Sequence, residues 1–458
     1  MVITEAPLDQ TLVPPGLLGI DLEAFATEFG TPLFVYDEDE LRRRCQDYVA
    51  CIGEDSVTYA AKSFMCTAMV RLVDEEGLRL DVATGGELHV ARNAGFPAER
   101  IVFHGNNKSD VEVRTGLEAG VGRIVVDSFD EIARLEDAMA AGVSKQPPHV
   151  LVRVTPGVEA HTHEFIETGT ERSKFGFTVS EGVALEAVQR VVAADGLHFG
   201  GLHSHIGSQI ERLDAYGRAI EILANLAREI GDMTGAAVEE LNLGGGLAAR
   251  YLATDPDVSV STYADALRSA VAAHWLAGAQ PHIVVEPGRS IAAPCAITLY
   301  RVGTVKEIPG VGTYVAVDGG MSDNPRPVLY GAGYEAYLPA RIDEPRPLRC
   351  NIAGKHCEQG DVIVRDACLP EGVRVGDLLA TPTTGAYGYS MASNYNKVPR
   401  PAVVFVRNGD ARVVVRRETE EDLVRLDVID SMVASAGSGS SGVREAKPHR
   451  TPRSDWSA

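Results

Sequence analysis

The sequence predicts an α/β protein: a (β/α)8 TIM barrel, then a C-terminal antiparallel β-sandwich or small barrel that N-terminal residues complete. Three observations predict it. Eight short apolar runs recur along the first two thirds of the chain, stretches of helical spacing separate them, and from Ile297 the pattern turns to period-two strands with turn residues.

In chain order, residues 1 to about 36 hold the extended segment Pro32-Leu33-Phe34-Val35-Tyr36, which precedes the barrel and joins the β domain. The eight runs are VTYAA from Val57, LRLDVA from Leu78, RIVFHG from Arg100, RIVVDS from Arg123, HVLVRV from His149, FGGLHSHI from Phe199, ELNLGGG from Glu240 and HIVVEPG from His282. Most stop at a glycine or a reactive side chain. Glu131 to Met139 and Ala219 to Ala227 carry helical spacing between them. The barrel is expected over 37–298 and the β domain over 299–430, built from TLYRVGTVKEI, GTYVAVDGG, DVIVRDACL and AVVFVRNGDARVVVRRE. In the last of these, Asn408-Gly409-Asp410 supplies a hairpin turn. Residues 431–458, with AGSGSSG and a mixed-charge end, cannot bury enough apolar area to order themselves.

Composition narrows the function. With 458 residues, 45% of them hydrophobic, the chain can bury a large core and is long for one domain. No run approaches the ~20 apolar residues of a membrane span, and MVITEAPLDQ lacks the basic and apolar blocks of an export signal, so a cytoplasmic location is expected. Seven cysteines without a C-x-x-C pair fit a reducing compartment and argue against structural zinc. Lys and Arg number 43 against 64 Asp and Glu, a net charge of −21 that makes nucleic acid a poor partner. Basic groups that bind a small anion must then be local exceptions inside a site.

In a parallel barrel the carboxyl ends of all strands share one rim, where Lys62, His205, Gly244, Gly245, Gly246, Glu286 and Arg289 would meet. Lys62 reads either as a rim lysine paired with an acid or as a Schiff-base lysine whose amine desolvation makes nucleophilic near neutral pH. The glycine triplet lets backbone N–H groups approach an anion, and Glu286-Pro287-Gly288-Arg289 ends the next strand, where barrels often hold a phosphate. Arg289 offers a fixed cation to a phosphate or carboxylate. Glu286 beside an anion demands a cation, which a protonated pyridine nitrogen would supply. His203 with His205, or His161 with His163, has metal-ligand spacing, but no carboxylate or cysteine cluster accompanies either pair; no metal is expected. His205 is better read as a flat ring packed on another. Among the residues of the β domain, Cys357 lies between polar and charged neighbours as an exposed loop thiol.

YAAKSF, DVATGGEL, FHGNNKS, GLHSHIGSQI, LNLGGGL, EPGRSI, DGGMSDNPRPVLY, GKHCEQGD and TGAYGYSMASNYN, in this order between about Leu33 and Asp427, resemble the diaminopimelate decarboxylase family of pyridoxal-phosphate enzymes. The chain departs at YAAKSF, where many relatives carry Ala-Asn after the lysine. The resemblance implies pyridoxal 5′-phosphate as cofactor, Lys62 as its Schiff-base residue and His205 as the ring stacked on it. It implies Ser208, the Gly244 to Gly246 turn, Arg289 and Tyr387 around the phosphate, and Glu286 on the pyridine nitrogen, with Pro287 and Gly288 in the same turn. It implies Arg289, Arg326, Tyr330 and Tyr387 toward the substrate, Cys357 as proton donor and Glu358 on the distal amine. The last two would reach a second subunit's barrel, so a homodimer with shared active sites is implied. The implied reaction is decarboxylation of meso-2,6-diaminopimelate to L-lysine, the last step of lysine biosynthesis. The nearest rival acts on ornithine, lysine, arginine or a carrier-bound amino acid; a racemase, a cofactor-free binding homologue and a barrel hydrolase stand further off.

Overall fold

The computed structural model describes residues 6–158, 173–276 and 278–428. His161, His163 and the tail from 431 lie outside them. Residues through Arg417 form one compact unit, and a second begins at Glu418 with a short helix, Glu420–Val424, closed by a Thr419–Asp422 capping box.

All eight apolar runs form the barrel. After β1 (Leu33–Asp37) come β2 (Thr58–Ala60), β3 (Arg79–Val82), β4 (Ile101–Phe103), β5 (Arg123–Val126) and β6 (His149–Thr155). A two-residue β7 (Phe177–Thr178) pairs with the end of β6. Then follow β8 (His198–His203), β9 (Glu240–Asn242) and β10 (His282–Val284), parallel in the order β10-β9-β8-β6-β5-β4-β3-β2. A parallel bridge between Val57 and Val285 closes the ring, reinforced by Thr58 N–H to the Val285 carbonyl at 2.9 Å. Both stretches of helical spacing are helices, Phe129–Ala140 and Asp214–Thr234.

Local chemistry fixes where four of the barrel's helices begin. Thr84, Ser109, Ser128 and Ser259 each accept a backbone N–H from the first turn of the helix that follows, satisfying a donor the helix itself leaves orphaned. Gly95 and Gly120 end two of those helices in the left-handed region. Inside the barrel, side chains stack in layers. Arg79 and Arg123 pair with Glu240 near the amino-terminal end (3.2 and 3.0 Å), and Val102, Val125 and Leu151 form an apolar layer above. Asp81, Arg153, Asn242 and Glu286 lie toward the carboxyl rim, all buried.

The second sheet is mixed, which corrects the antiparallel expectation. Its strands are β1, β11 (Ala296–Ile308), β12 (Gly312–Val317), β13 (Leu348–Ala353), β14 (Val362–Leu369), β15 (Leu378–Pro382), β16 (Ala402–Arg407) and β17 (Asp410–Val415). β1 runs parallel to β16 and β12 parallel to β13, because the chain enters the sheet from both of its ends and crosses over a long loop before β13. β13 and β15 are outside the period-two set; β15 is buried throughout and so carries no alternation. The hairpin turn is as expected: Asn408 and Gly409 take φ of 51° and 83°, and Arg407 pairs with Asp410.

β1 is the join between sheet and barrel. Leu33 and Val35 pack among Leu8, Val13, Leu17 and Leu22 of the N-terminal segment, while Phe34 and Tyr36 face the large barrel core. Tyr36 stacks on Phe64 at 4.5 Å and donates to the Gly385 carbonyl at 2.7 Å. Two loops of the rim are thereby anchored to one strand.

The barrel's stability rests on such interdigitated side chains. Phe103 is fully buried, so close to Gly116 that a Cβ there would stand 2.8 Å from its ring. Phe103→Ala should therefore lower stability by about 3–5 kcal/mol, read as a shift of the urea midpoint at unchanged slope.

A cavity at the carboxyl rim of the barrel

A cavity of about 450 Å³ opens at the carboxyl ends of the strands. Of the residues singled out from sequence, Lys62, His205, Ser208, Glu286, Arg289, Tyr330 and Tyr387 line it. They come from loops after β2, β8 and β10 and from the β domain. Its volume falls within the range of small-molecule sites.

Glu286 sits at its floor, 5% exposed. His104 Nε2 and Asn242 Nδ2 each lie 2.8 Å from Oε1, and His203 Nε2 lies 3.0 Å from Oε2. Burial alone would raise this carboxyl, but His104 and His203 more than reverse it and hold it well below the usual carboxylate range. Burial pushes the His203 imidazole down to about 4, so near pH 7 it acts on Glu286 as a neutral N–H donor. A carboxylate offers about four acceptor positions, of which three are engaged.

This cluster corrects one expectation. A carboxylate does accompany His203: tertiary folding brings Glu286 and His104 to it, and their ligand-type atoms lie within 4.8 Å of one another. Each histidine is hydrogen-bonded directly to Glu286, as two donors on one carboxylate.

Lys62 reaches into the cavity from the turn after β2, its side chain 47% exposed, with Nζ 3.4 Å from Asp81 Oδ2. Burial lowers the ammonium, yet Asp81, Tyr387 and Glu286 outweigh it and hold the group above the ordinary lysine value. Asp81 is the acid partner that one of the two readings open from sequence gives Lys62. Both loops beside it are tied together, since Tyr387 N–H donates to the Ser63 carbonyl at 2.8 Å.

At the other end, Arg289 Nε and Nη2 converge on Ser208 Oγ at 3.1 and 3.0 Å, and Nη1 donates to the Tyr251 hydroxyl at 2.9 Å. Its guanidinium lies 4.7 Å from the Tyr387 ring centre. Arg326 is buried beside it, 4.3 Å from the Tyr251 ring centre, and donates to the Tyr334 hydroxyl. Two cations share one tyrosine, an arrangement in which the ring faces offset part of their repulsion. The Arg326 Nε is buried without a partner.

The glycine triplet does something other than expected. Gly244 N–H donates to Asn242 Oδ1 and Gly245 N–H to His205 Nδ1, so two of its three amides serve protein acceptors. Its missing side chains allow close packing: a Cβ on Gly245 would stand 2.2 Å from the Glu286 carbonyl. Gly288 likewise leaves room for Ala60 and Ser63. His205, with Nδ1 accepting from Gly245, is held below the ordinary imidazole value by burial and by Lys62 and Arg153.

Cys357 and Glu358 do not line the cavity. They sit exposed on the turn between β13 and β14, where Asn396 Oδ1 accepts the Cys357 N–H at 3.0 Å and the Tyr395 hydroxyl lies 3.5 Å from Glu358. Sequence reasoning missed Asp81, His104, Arg153, Tyr251 and Tyr334. Asp81 and His104 were readable in kind: each is a polar residue within one of the eight runs, LRLDVA and RIVFHG. All seven cysteines are free.

The His203 shift has a consequence for stability. An imidazole in the unfolded chain titrates near 6.5 and the folded one near 4, so the unfolded state binds more protons between those values. Stability should fall as pH is lowered from 6.5 to 4, and the fall should be shallower in His203→Gln when thermal midpoints are compared across that range.

Comparison with known proteins places this geometry. Residues 38–293 match the pyridoxal-binding domain of the pyridoxal-dependent decarboxylases. The diaminopimelate decarboxylase of Mycobacterium tuberculosis is 51% identical over 425 residues, covering 90% of this chain and 94% of the relative. That of Bacillus subtilis is 49% identical over 419 residues, with the same shares. Among solved structures, diaminopimelate decarboxylase from M. jannaschii in complex with L-lysine superposes with a TM-score of 0.83 at 32% identity, over 90% of this chain and 95% of that one. The Helicobacter pylori enzyme complexed with L-lysine gives 0.80 at 29% identity, over 89% and 99%. No helix among the described residues is long and apolar enough to cross a membrane. With its catalytic-rim cavity and half of its sequence shared with such relatives, the chain belongs to the pyridoxal-dependent decarboxylases, among the diaminopimelate decarboxylases.

Proposed function

We propose that this chain decarboxylates meso-2,6-diaminopimelate to L-lysine and carbon dioxide, using pyridoxal 5′-phosphate. One observation carries the reading: an amine, a buried anionic carboxylate and a fixed guanidinium converge on one cavity as Lys62, Glu286 and Arg289. The residues fit the cofactor. Glu286 keeps one acceptor position beyond its three donors, suited to a pyridinium N–H. Arg289, Ser208 and Tyr387 group a cation with hydroxyls for the phosphate, and Lys62, held only by a 3.4 Å contact, is placed for the aldehyde. When bound, the protonated pyridine ring supplies a sink for the electron pair released with carbon dioxide.

The chain's own groups have distinct tasks. Glu286, anionic and dry, keeps the ring nitrogen protonated, since an opposite charge favours the charged form. Asp81 Oδ2, 3.4 Å from Nζ, holds the Lys62 side chain in position at the cavity as an ion pair. Arg326 offers charge and Tyr330 a hydroxyl donor to a carboxylate at the far end of the substrate, and Glu358 offers the opposite charge to the amine there. A substrate with both groups on its distal carbon, as diaminopimelate has, satisfies both.

Cys357 is the proton donor in this reading. Since it and Glu358 stand on an exposed turn outside the chain's own cavity, the working form is a homodimer in which each copy lends that turn to the other's cavity. The setting is the cytoplasm, where a free, accessible thiol stays reduced.

Carbon dioxide release should be fastest with meso-diaminopimelate and absent in Lys62→Ala; a preference for lysine, ornithine or arginine would sink the substrate assignment. Arg326→Ala should lower kcat/KM for diaminopimelate by roughly 100-fold or more while leaving slow turnover of lysine nearly unchanged. Mixing inactive Lys62→Ala with inactive Cys357→Ala should restore about a quarter of wild-type activity, because half of randomly paired dimers are mixed and each of these has one intact site. No recovery after subunit exchange would refute the shared site.

A further inference from the structure

The opposite end of the barrel carries a cluster for which decarboxylation has no use. His149 opens β6, His198 opens β8, and Glu239 immediately precedes β9. His149 and His198 are register partners, and these three strands are neighbours. Three adjacent strands therefore begin with a metal-ligand side chain each, and their ligand-type atoms all lie within 4.8 Å of one another.

The geometry points to a divalent transition-metal site at the amino-terminal pole of the barrel, held by His149, His198 and Glu239. Two imidazoles and one carboxylate make a donor set suited to zinc or a similar ion, with a position left for water. His198 Nε2 and Glu239 Oε2 stand 3.6 Å apart. That is too long for a hydrogen bond. It is close to the roughly 3.4 Å between two atoms each bound ~2.1 Å from one tetrahedral ion. The imidazole rings lie 4.4 Å apart, edge to face at 65°, so their nitrogens can converge. Gly200 makes room for one of them: a Cβ there would stand 3.3 Å from His149 Nδ1.

A second observation points to an occupant. Two of the three, His149 and Glu239, line a cavity of about 200 Å³ together with Arg123, Glu240 and His282. Glu240 is 6% exposed, and its Oε1 is buried without a hydrogen-bond partner while Oε2 takes both Arg79 and Arg123. An unengaged anionic oxygen beside the ligands suits a water of the ion's coordination shell. Bound there, the ion would clip together the starts of three strands, far from the catalytic rim.

Calorimetric titration of chelator-treated holoenzyme with Zn²⁺ tests this, with His149→Ala and His198→Ala beside wild type. Cys357→Ala controls for zinc taken by the exposed thiol. Wild type should bind one equivalent per chain, and each histidine variant should weaken it by at least about 100-fold, the upper end of what losing an outer partner does. The same variants should keep the cofactor's absorbance and their decarboxylase activity, and zinc should raise the melting temperature of wild type but not theirs. Equal binding by wild type and both histidine variants, loss in Cys357→Ala alone, or no stoichiometric binding at all would overturn the site.

Discussion

The buried carboxylate of Glu286 is the constraint around which the rim is organised. An anion taken out of water is tolerated only when donors replace its hydration. His104, His203 and Asn242 do so, arriving from three different strand ends. That requirement links the fold to the chemistry: the donors meet only if the parallel strands close into a ring in the observed register. The same dry setting keeps His203 neutral, so the site's charge is concentrated on the carboxylate.

Charge is arranged against that centre with opposite sign at both ends of the cavity. Lys62 is held as an ammonium by Asp81 and Glu286, while Arg289 and Arg326 lie beside the rings of Tyr251, Tyr387 and Tyr334. A chain with a net charge of −21 thereby presents a local cationic pocket to an anionic ligand. The β domain is part of this arrangement. Through Tyr36, β1 holds both the Phe64 turn next to Lys62 and the Gly385 loop that leads to Tyr387.

Much of the barrel was legible because a strand buried on both faces needs a mainly apolar run, and most of the eight stopped at a glycine or a reactive side chain. The Asn408-Gly409 turn was legible because few residues take positive φ. The β domain was less so. β15 is buried throughout and hides its period, and the parallel pairings of β1 with β16 and of β12 with β13 depend on crossovers that no local pattern encodes.

Within the site, sequence alone determined which chemistry was on offer: an amine after the first barrel strand, an acid and a guanidinium after the last, and a thiol on a polar turn. Only the tertiary structure decided how those groups behave. Lys62 is charged and not neutral because Asp81, nineteen residues away, lies 3.4 Å from it. Gly244 and Gly245 serve packing because Asn242 and His205 take their amides, and His203 gains a carboxylate because β10 ends beside β9. Residue type is a property of the chain, whereas protonation state and hydrogen-bond partners follow from distance and burial, which exist only once the ring has closed.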